Sequence, residues 1–275
     1  ADPTRILTMF ETRIGSVNGE TGYARPETAQ GMFTNFKRAY LHARKKTPFG
    51  IAQKGKVLRN EISPRRGMTR IREFTIIELE LFFDPEKPDC PFINEVADTP
   101  IKIITEKMLE DNNTMPFNTT IAKALEDGQI LTPWQAYYMG VSQRFITSLG
   151  VPPGKQRFRA HLPEERAHYS AQTYDHEAQL EWGWLEVAGH AYRTDYDLKA
   201  HAGVQEPTIL RLDGTRYVPH VVEPSFGLDR LFYTTLEHAY ERRGKRNIFR
   251  IPRNIAPTKI QVNPLVTRDG LPKQA

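Results

Sequence analysis

Residues Gly55–Glu80 carry a high density of opposed charges around one aromatic ring. The stretch GKVLRNEISPRRGMTRIREFTIIELE contains five arginines, four glutamates and a single phenylalanine, Phe74. A guanidinium group is always charged and donates parallel hydrogen bonds, so it suits phosphate oxygens. A phenylalanine ring offers a flat face to a purine. Together these residue types predict a site for a planar, aromatic and polyanionic ligand such as ATP.

Arg230 could give the same ring a second flat surface, because a guanidinium group stacks on aromatic faces. It lies in the first turn of a predicted helix, where the positive end of the helix dipole disfavours a cation. Asp229 beside it offsets part of that cost. Taken alone, Arg230 is equally consistent with a surface arginine whose stem covers apolar neighbours.

Three glutamates, Glu27, Glu78 and Glu223, lie in separate segments beside apolar or glycine-rich residues. Buried together, they would repel one another and raise each other's pKa, and a bound ammonium group would relieve that repulsion. Glu186 could instead bind a divalent cation that accompanies ATP. Each glutamate alone is more often a solvated or ion-paired group. The prediction therefore depends on the joint pattern of carboxylates, arginines and one aromatic ring.

Other chemical signatures are missing from the sequence. It contains no GxxxxGK[ST] phosphate loop, no GxGxxG turn and no GxSxG nucleophile elbow. The eight histidines lack metal-ligand spacing, although four of them cluster loosely between residues 161 and 190, and no zinc site is predicted. The basic runs RAYLHARKK and ERRGKR are typical of solvated surfaces.

Composition bounds the class of protein. The chain has 275 residues, 39% of them apolar, enough for one large domain or two modest ones. Lys and Arg number 38 against 33 for Asp and Glu, a mild basic excess that suits an anionic partner. The single cysteine, Cys90, excludes an internal disulfide and indicates a reducing, cytoplasmic setting. No apolar run reaches the length of a membrane span, no signal peptide is recognisable, and both ends read as cuts within a longer chain.

Strict alternation predicts a β-hairpin over Gly55–Glu80. One face would present charged and aromatic side chains to a ligand, and the other would lie on the core. The predicted ligand face carries Arg59, Glu61, Phe74, Glu78 and Glu80; the core face of the second strand carries Ile77, Leu79, Leu81 and Phe83; the loop carries Arg65, Arg66, Arg70 and Arg72.

Further elements follow from periodicity and caps. RPETAQGMFTNFKRAYLHARKK predicts a helix that begins near Pro26, a residue suited to a first helical turn. Residues 100–150 are predicted to be helical, EWGWLEVAG is predicted to be a strand, and APTKIQVNPLV is predicted to open a second domain. YVPHVVEPSFGLDRLFYTTLEHAYERRG predicts a strand, a turn and a helix with the apolar stripe Leu228, Leu231, Phe232, Leu236 and Tyr240.

At these residues the sequence resembles a known family. VLRNEISPR and TRIREFTIIELE resemble motif 2 of the class II aminoacyl-tRNA synthetases, and VVEPSFGLDRLFY resembles their motif 3. GYARPETAQGMFTNFKR, RFRAHLPEERAHYSAQTYD and EWGWLEVAGHAYRTDYDL narrow the resemblance to glycyl-tRNA synthetases of the homodimeric type. It covers Met9–Asp84 and Arg157–Ala275, and the blocks stand in the family's order.

The resemblance implies an α+β fold, the class II synthetase core, in which helices flank an antiparallel β-sheet. It implies a catalytic domain over residues 1–256, with a mostly helical insertion at about 88–156. Residues 257–275 would begin an α/β anticodon-binding domain. Motif 1, the dimer-interface element expected before Met9, is not found.

The resemblance also implies roles for individual residues. Arg59 would be the catalytic residue, binding the α-phosphate and the glycine carboxylate. Phe74 and Arg230 would sandwich the adenine, Glu61 would contact its edge, and Glu186 would act through Mg²⁺. The residues implied for ATP are Arg59, Asn60, Glu61, Thr69, Arg70, Ile71, Arg72, Glu73, Phe74, Glu186, Val187, Gly227, Leu228, Asp229 and Arg230, with Arg70 or Arg72 on the outer phosphates. The residues implied for glycine are Glu27, Phe74, Glu78, Glu223, Pro224, Ser225, Phe226 and Gly227.

The implied reaction joins glycine to ATP as glycyl-adenylate and passes the glycyl group to the 3′ end of tRNA(Gly). ATP with Mg²⁺, glycine and tRNA(Gly) would be the substrates and partners, the full-length protein would be a homodimer, and no membrane would be involved. Two departures weaken the match: Tyr192 stands where the family usually has Asp, and Ala160 where Gln is common. Two alternatives stay open: a class II synthetase for another small amino acid, and a non-catalytic synthetase-like module that binds RNA or protein.

Overall fold

The computed structural model describes residues 9–16, 19–62, 64, 67–203 and 206–264. Fourteen strands and seven α-helices occur in these residues. In chain order they are β1 (Glu11–Ile14), β2 (Glu20–Tyr23), α1 (Ala29–Thr34), α2 (Phe36–His42), β3 (Phe49–Leu58), β4 (Glu73–Phe83), β5 (Pro100–Ile104), α3 (Glu106–Glu110), β6 (Phe117–Thr120), α4 (Ile121–Glu126), α5 (Pro133–Ser148), β7 (Gln156–Ala160), β8 (Gln172–Leu180), β9 (Gly183–Thr194), α6 (Tyr196–Ala200), β10 (Ile209–Leu210), β11 (Arg216–Tyr217), β12 (His220–Gly227), α7 (Leu228–Ala239), β13 (Tyr240–Arg243) and β14 (Arg246–Phe249).

Eight strands form one central sheet in the order β3-β4-β12-β9-β8-β7-β5-β6. Every neighbouring pair is antiparallel except β5 and β7, which run parallel. Helices lie against this sheet, so the predicted α+β architecture is confirmed. Among the described residues, no helix is long and apolar enough to cross a membrane.

Helices cover both faces of the sheet. Phe33 and Phe36 of the first two helices pack on Phe82 of β4. Trp134 of α5 packs with Leu81 and its neighbours, on the opposite face. Adjacent strand residues point to opposite faces, which explains why Leu81 and Phe82 serve different cores.

The helix predicted to begin near Pro26 is two shorter helices. It begins at Ala29 and is interrupted at Asn35, whose side-chain amide donates to the carbonyl of Gly31 at 2.8 Å. Asparagine side chains compete for backbone groups in this way and are therefore poor residues for a helix interior.

The prediction of a helical segment over residues 100–150 is correct for α3, α4 and α5. It is wrong for Pro100–Ile104 and Phe117–Thr120, which are strands at one edge of the central sheet. Ile101 and Ile103 alternate into a buried cluster beneath α5, and this β-branched period-two pattern was the signal for a strand.

The hairpin is confirmed, but its predicted core face is partly wrong. Strand β4 buries Glu78 and Glu80, whereas Ile77 and Leu79 are only half-buried. Leu81 is buried as predicted. The charged face thus lies inside the molecule, which alternation alone could not decide because both faces mix apolar and polar residues.

The predictions for α7 and for the C-terminal segment are only partly met or lie outside the described residues. In α7, Leu231 is buried, but Phe232 is 54% exposed and Tyr240 lies in the next strand. The predicted strand that opens a second domain is not formed in residues 257–264, and residues 265–275 lie outside the described residues, as do Arg65 and Arg66. The domain boundaries therefore stay predictions.

Candidate active site

One cleft on the sheet gathers most of the predicted site residues. It lies over β4, β12, β9 and β8 and is closed by the segment before α1 and by the first turn of α7. The predicted residues that line it are Glu27, Arg59, Glu61, Thr69, Arg70, Ile71, Phe74, Glu78, Glu186, Val187, Glu223, Ser225, Gly227, Asp229 and Arg230. Asn60, Arg72, Glu73, Pro224, Phe226 and Leu228 are not among its lining residues.

Strand alternation explains most of these exclusions. Glu223, Ser225 and Gly227 occupy one face of β12, so Pro224 and Phe226 must point to the other. Phe226 packs with Leu231 and Val187 in a core cluster. The same rule separates Phe74 from Glu73.

Glu78 is held at the closed end of the cleft by the turn before α1. One of its carboxylate oxygens accepts hydrogen bonds from the Thr28 backbone amide at 2.7 Å and from the Thr28 hydroxyl at 2.5 Å. Its other oxygen lies 3.4 Å from the Ser225 hydroxyl, which donates to it. Glu78 is only 2% exposed, so its position is fixed before any ligand arrives.

Glu223 is paired with a fully buried arginine, Arg193. The guanidinium donates to Glu223 and also forms a two-pronged pair with Asp197, both distances being 2.8 Å. It stacks on the ring of Tyr169, with 3.8 Å between the guanidinium carbon and the ring centroid. Arg193 and Asp197 were not predicted to be site residues, and the fold places them outside the cleft lining.

Glu80 lies outside the cleft lining, next to Glu78 and Glu223, and sequence reasoning did not single it out. It has no exposed surface, and neither of its carboxylate oxygens has a hydrogen-bond partner among the described residues. Burial, followed by the charge of Glu223, raises the pKa of Glu80 well above its usual range, and Arg193 opposes this. Burial likewise raises the pKa of Glu223 to about 7, again against the opposing charge of Arg193. Several carboxylates thus share one compensating arginine, and protonation is favoured.

The other end of the cleft carries the arginines and the aromatic ring. The Arg59 guanidinium lies 5.4 Å from the centroid of Phe74 and donates to the carbonyl of Pro26 at 3.0 Å. Strand β3 ends at Leu58, but the Arg59 amide continues the ladder by donating to Arg72 at 2.9 Å. The ladder therefore aims Arg59 into the cleft although it lies outside the strand.

Arg230 sits across the cleft at the start of α7. It donates to the carbonyls of Thr69 and Glu186, at 3.1 and 2.9 Å, and pairs with the Glu186 carboxylate at 2.8 Å. Asp229 accepts from the Thr75 amide at 2.6 Å and so ties the helix to β4. These contacts hold the Arg230 guanidinium in the cleft wall, as a role in stacking on a ligand requires.

Arg70 and Glu61 form a partly exposed pair at the cleft mouth, with 3.2 Å between nitrogen and oxygen. Their side chains are 45% and 28% exposed. Such a pair contributes little to stability and exchanges partners readily.

A histidine–carboxylate pair in the cleft wall was not predicted from the sequence, although both residues lie in the block RFRAHLPEERAHYSAQTYD. His161 Nε2 lies 2.8 Å from Asp175, and both residues line the cleft. The hydrogen bond that Asp175 accepts from His161 raises the pKa of His161, while burial raises the pKa of Asp175. The two residues lie on different segments of the chain, so only the pairing of β7 with β8 brings them together.

The described residues contain no group of three or more His, Cys, Asp or Glu side chains arranged to hold a metal ion. Glu186 lines the cleft as a single carboxylate that is already paired with Arg230. One or two carboxylates plus substrate phosphates is the usual way that proteins bind Mg²⁺, so Glu186 fits that ion only together with a nucleotide.

Both departures from the family pattern lie outside the cleft lining. Tyr192 pairs through its hydroxyl with His220 Nδ1 at 2.6 Å and points away from the face that carries Ala191. Ala160 is buried in the apolar cluster beneath α5. Neither residue changes the chemical groups that a ligand would meet.

Comparison with known proteins agrees with this geometry. No protein-family model matches the chain. The chain is 38% identical over 95% of its length to the glycine–tRNA ligase of Aeropyrum pernix, of which it covers 58%. It is 36% identical over 96% to that of Thermococcus kodakarensis and 34% identical over 96% to that of Methanothermobacter thermautotrophicus, covering 60% of each. The chain thus spans about 60% of the length of these curated relatives.

A solved structure supports the fold independently. Prolyl-tRNA synthetase from Giardia lamblia, in complex with prolyl-adenylate, superposes with a TM-score of 0.55. The match covers 84% of this chain and 37% of the other, at 12% identity. Identity this low supports the fold alone. The predicted resemblance to glycyl-tRNA synthetases and the predicted class II core are both confirmed.

Proposed function

We propose, for a chain that is a relative of the glycine–tRNA ligases, that it activates glycine with ATP and transfers the glycyl group to the 3′ end of tRNA(Gly). One observation carries the proposal: a single cleft joins buried carboxylates at one end to an arginine–phenylalanine surface at the other. The first end suits a small ammonium group, and the second suits a nucleotide with its phosphates.

Glycine would bind at the carboxylate end. Glu27, Glu78 and Glu223, with Ser225, would hold its ammonium group and would in turn be relieved of mutual repulsion. A ligand without a side chain offers no apolar contact, so its affinity must come from its charged groups. Larger amino acids would place a β-carbon against packed walls, which yield little.

ATP would bind at the arginine end. Phe74 and Arg230 would hold the adenine between them, and Glu61 would accept from its edge. Arg70 lines the cleft and Arg72 does not, which favours Arg70 as the contact to the outer phosphates. Release of Arg70 from Glu61 and of Arg230 from Glu186 would free the charges that the phosphates need.

Gly189 supports a bulky ligand over the middle of the sheet. It lines the cleft between Ser225 on β12 and Asp175 on β8. No atom lies within 4 Å of the position that a β-carbon would take at Gly189. The missing side chain therefore leaves open space where the two ligands would meet.

The chemistry would need no covalent enzyme intermediate. A glycine carboxylate oxygen attacks the α-phosphorus of ATP, the bond to the bridging oxygen breaks, and pyrophosphate leaves. Arg59 would stabilise the additional negative charge on the α-phosphate in the transition state, and the cleft would supply alignment. Mg²⁺, when bound with ATP, would neutralise phosphate charge, and Glu186 is the carboxylate placed to hold it.

Further parts of the proposal rest on the relatives. Their names describe glycine–tRNA ligases, which supports ATP, glycine and tRNA(Gly) as substrates of this chain. A homodimer and a cytoplasmic location are proposed on the same ground.

Amino-acid-dependent exchange of pyrophosphate into ATP tests the proposal. Exchange with glycine, and not with alanine or serine, is expected, followed by charging of tRNA(Gly) transcripts. Exchange with alanine or serine instead would favour a synthetase for another small amino acid. A lack of exchange with every amino acid, in protein that is shown to be folded, would favour the non-catalytic module.

A further inference from the structure

The hairpin of β13 and β14, with the residues after it, forms a strongly basic surface. Segment 240–253 carries six cations and one anion, Glu241, a net charge of +5 that equals the formal net charge of the whole chain. The remaining residues therefore sum to zero net charge, although residues 37–59 form a second basic stretch with eight cations and no anion. The six cations, all exposed, are Arg242, Arg243, Lys245, Arg246, Arg250 and Arg253.

The charges at the hairpin tip are not arranged for stability. Arg243 stands directly opposite Arg246 in the register, with Gly244 and Lys245 as the turn between them. Like charges in directly opposed positions destabilise a strand pair. A hairpin needs no such cluster, so the arrangement calls for an anionic partner.

Ion pairs within the hairpin neutralise only part of this positive charge. Glu241 pairs with Arg243 at 2.6 Å and with Arg250 at 2.5 Å. Arg242, Lys245 and Arg246 form no ion pair with any described residue. These three cations can thus bind an external anion without giving up an ion pair; Arg242 donates only a 3.4 Å hydrogen bond to the carbonyl of Gly244.

Two half-exposed aromatic rings stand on the same hairpin. Tyr240 and Phe249 are 47% and 53% exposed, and their ring centroids lie 5.7 Å apart. Arginines combined with exposed aromatic rings fit a nucleic acid, which offers phosphates to the first and base faces to the second. An acidic protein surface would use the charges but would leave the rings unexplained.

The hairpin is fixed at a defined distance from the cleft. It follows α7 without a linker, and the Arg250 amide donates to the carbonyl of Ala239 at 2.7 Å. Arg230 lies at the other end of α7, whose 12 residues give a length of about 18 Å. A surface so far from the cleft cannot contact a nucleotide bound there, but it can contact the RNA strand that leads to it.

We propose that this hairpin binds the phosphate backbone of tRNA near the end that enters the cleft. The proposal rests on the proposed function, because it takes the RNA to be the acceptor of the glycyl group. The hairpin acts in positioning the RNA and takes no part in adenylate formation.

The test compares two triple variants that remove the same charge. One variant changes Arg242, Lys245 and Arg246 to Gln. The matched control changes Arg38, Lys46 and Lys107 to Gln, three exposed cations elsewhere on the surface. Binding of a tRNA(Gly) transcript is measured by fluorescence anisotropy between 50 and 200 mM salt, and glycine-dependent pyrophosphate exchange is measured in parallel.

The hairpin variant is expected to bind the transcript at least tenfold more weakly than the control. Its plot of log K against log salt should be shallower by about 2–3, because each phosphate contact contributes roughly 0.7–0.9 to the slope. Pyrophosphate exchange should be equal in both variants. That result separates the two proposals, since a failure of the proposed function would abolish exchange in both.

Two results would overturn the inference. Equal tRNA affinity and equal salt slope in the two triple variants would mean that the cations are only a solvated surface. A changed sedimentation coefficient of the hairpin variant, with unchanged tRNA binding, would mean that the hairpin contacts a second copy of the chain.

Discussion

The charged side chains at the two ends of the cleft differ in burial: the carboxylates at one end are buried, and arginines at the other end stay partly exposed. At the carboxylate end, Glu78, Glu80 and Glu223 are buried. Glu78 and Glu223 accept hydrogen bonds from the protein itself, whereas Glu80 has no hydrogen-bond partner among the described residues. At the arginine end, Arg70 and Arg230 stay partly exposed and pair with acids at the cleft surface.

The difference follows from what each end must bind. A small ligand with one positive group gains from carboxylates that cannot relax away, even though burying them is costly. A long polyanion must enter and leave with several phosphates, so its arginines need partners that they can exchange. The first end should therefore affect stability and glycine selection, and the second end should affect the rate of reaction.

Replacing Arg193 with Met should have the largest effect on stability. It would leave Asp197, Glu80 and Glu223 buried without their cation, and loss of one partner of a buried ion pair costs about 3–5 kcal/mol. Urea unfolding should show this loss in the free energy of unfolding. Arg70→Met, at the exposed pair, should cost no more than about 1 kcal/mol. If Arg193→Met and Arg70→Met lower the free energy of unfolding equally, the two ends of the cleft do not differ in their contribution to stability.

Replacing Arg59 with Ala should mainly slow adenylate formation. The variant loses a charge-assisted contact to the reacting phosphate, which is expected to cost about 2–4 kcal/mol of transition-state stabilisation. Pyrophosphate exchange at saturating ATP and glycine measures it. The control is Arg72→Ala, which removes the same charge from a residue outside the cleft lining. If the control slows exchange as much as Arg59→Ala, the assignment of Arg59 is wrong.

Glu78→Gln should weaken glycine binding and spare ATP. The substitution keeps the shape but removes one negative charge from the ammonium site, so the KM for glycine should rise at least tenfold, about 1.4 kcal/mol. The KM for ATP should change much less, and alanine should still be rejected. Glu73→Gln, at an exposed pair with Lys56, serves as the control. Equal changes in both KM values would indicate a structural role for Glu78.

The smallest expected effect is a different pH dependence of the KM values for glycine and for ATP. Burial raises the pKa of Glu223 to about 7, and an ammonium ligand favours the ionised carboxylate. As the pH falls below 7, the KM for glycine should therefore rise, by up to tenfold per pH unit, while the KM for ATP should stay nearly constant. In Glu223→Gln the dependence should flatten. A wild-type profile that is flat between pH 6 and 8 would mean that Glu223 does not titrate in this range.

The sequence was most informative where several site residues lie close together in one continuous block. The segments around Arg59, Phe74, Glu223 and Arg230 are continuous blocks, so their resemblance to the synthetase motifs predicted the class II core and most residues of the cleft. The predicted site residues that do not line the cleft, such as Pro224 and Phe226, lie within the same blocks. A block identifies a segment, but side-chain direction separates the neighbours within it.

Other features were decided only by the tertiary structure. Glu80 looked like one more residue on a charged face, and it became an unpaired buried carboxylate because β4 lies between β3 and β12 with helices on both faces. His161 and Asp175 meet only through the pairing of β7 with β8. Local patterns encode which residues are charged and how a strand alternates. Burial, and with it the pKa of each carboxylate, depends on which distant segments cover that strand, and this is fixed only when the sheet is assembled.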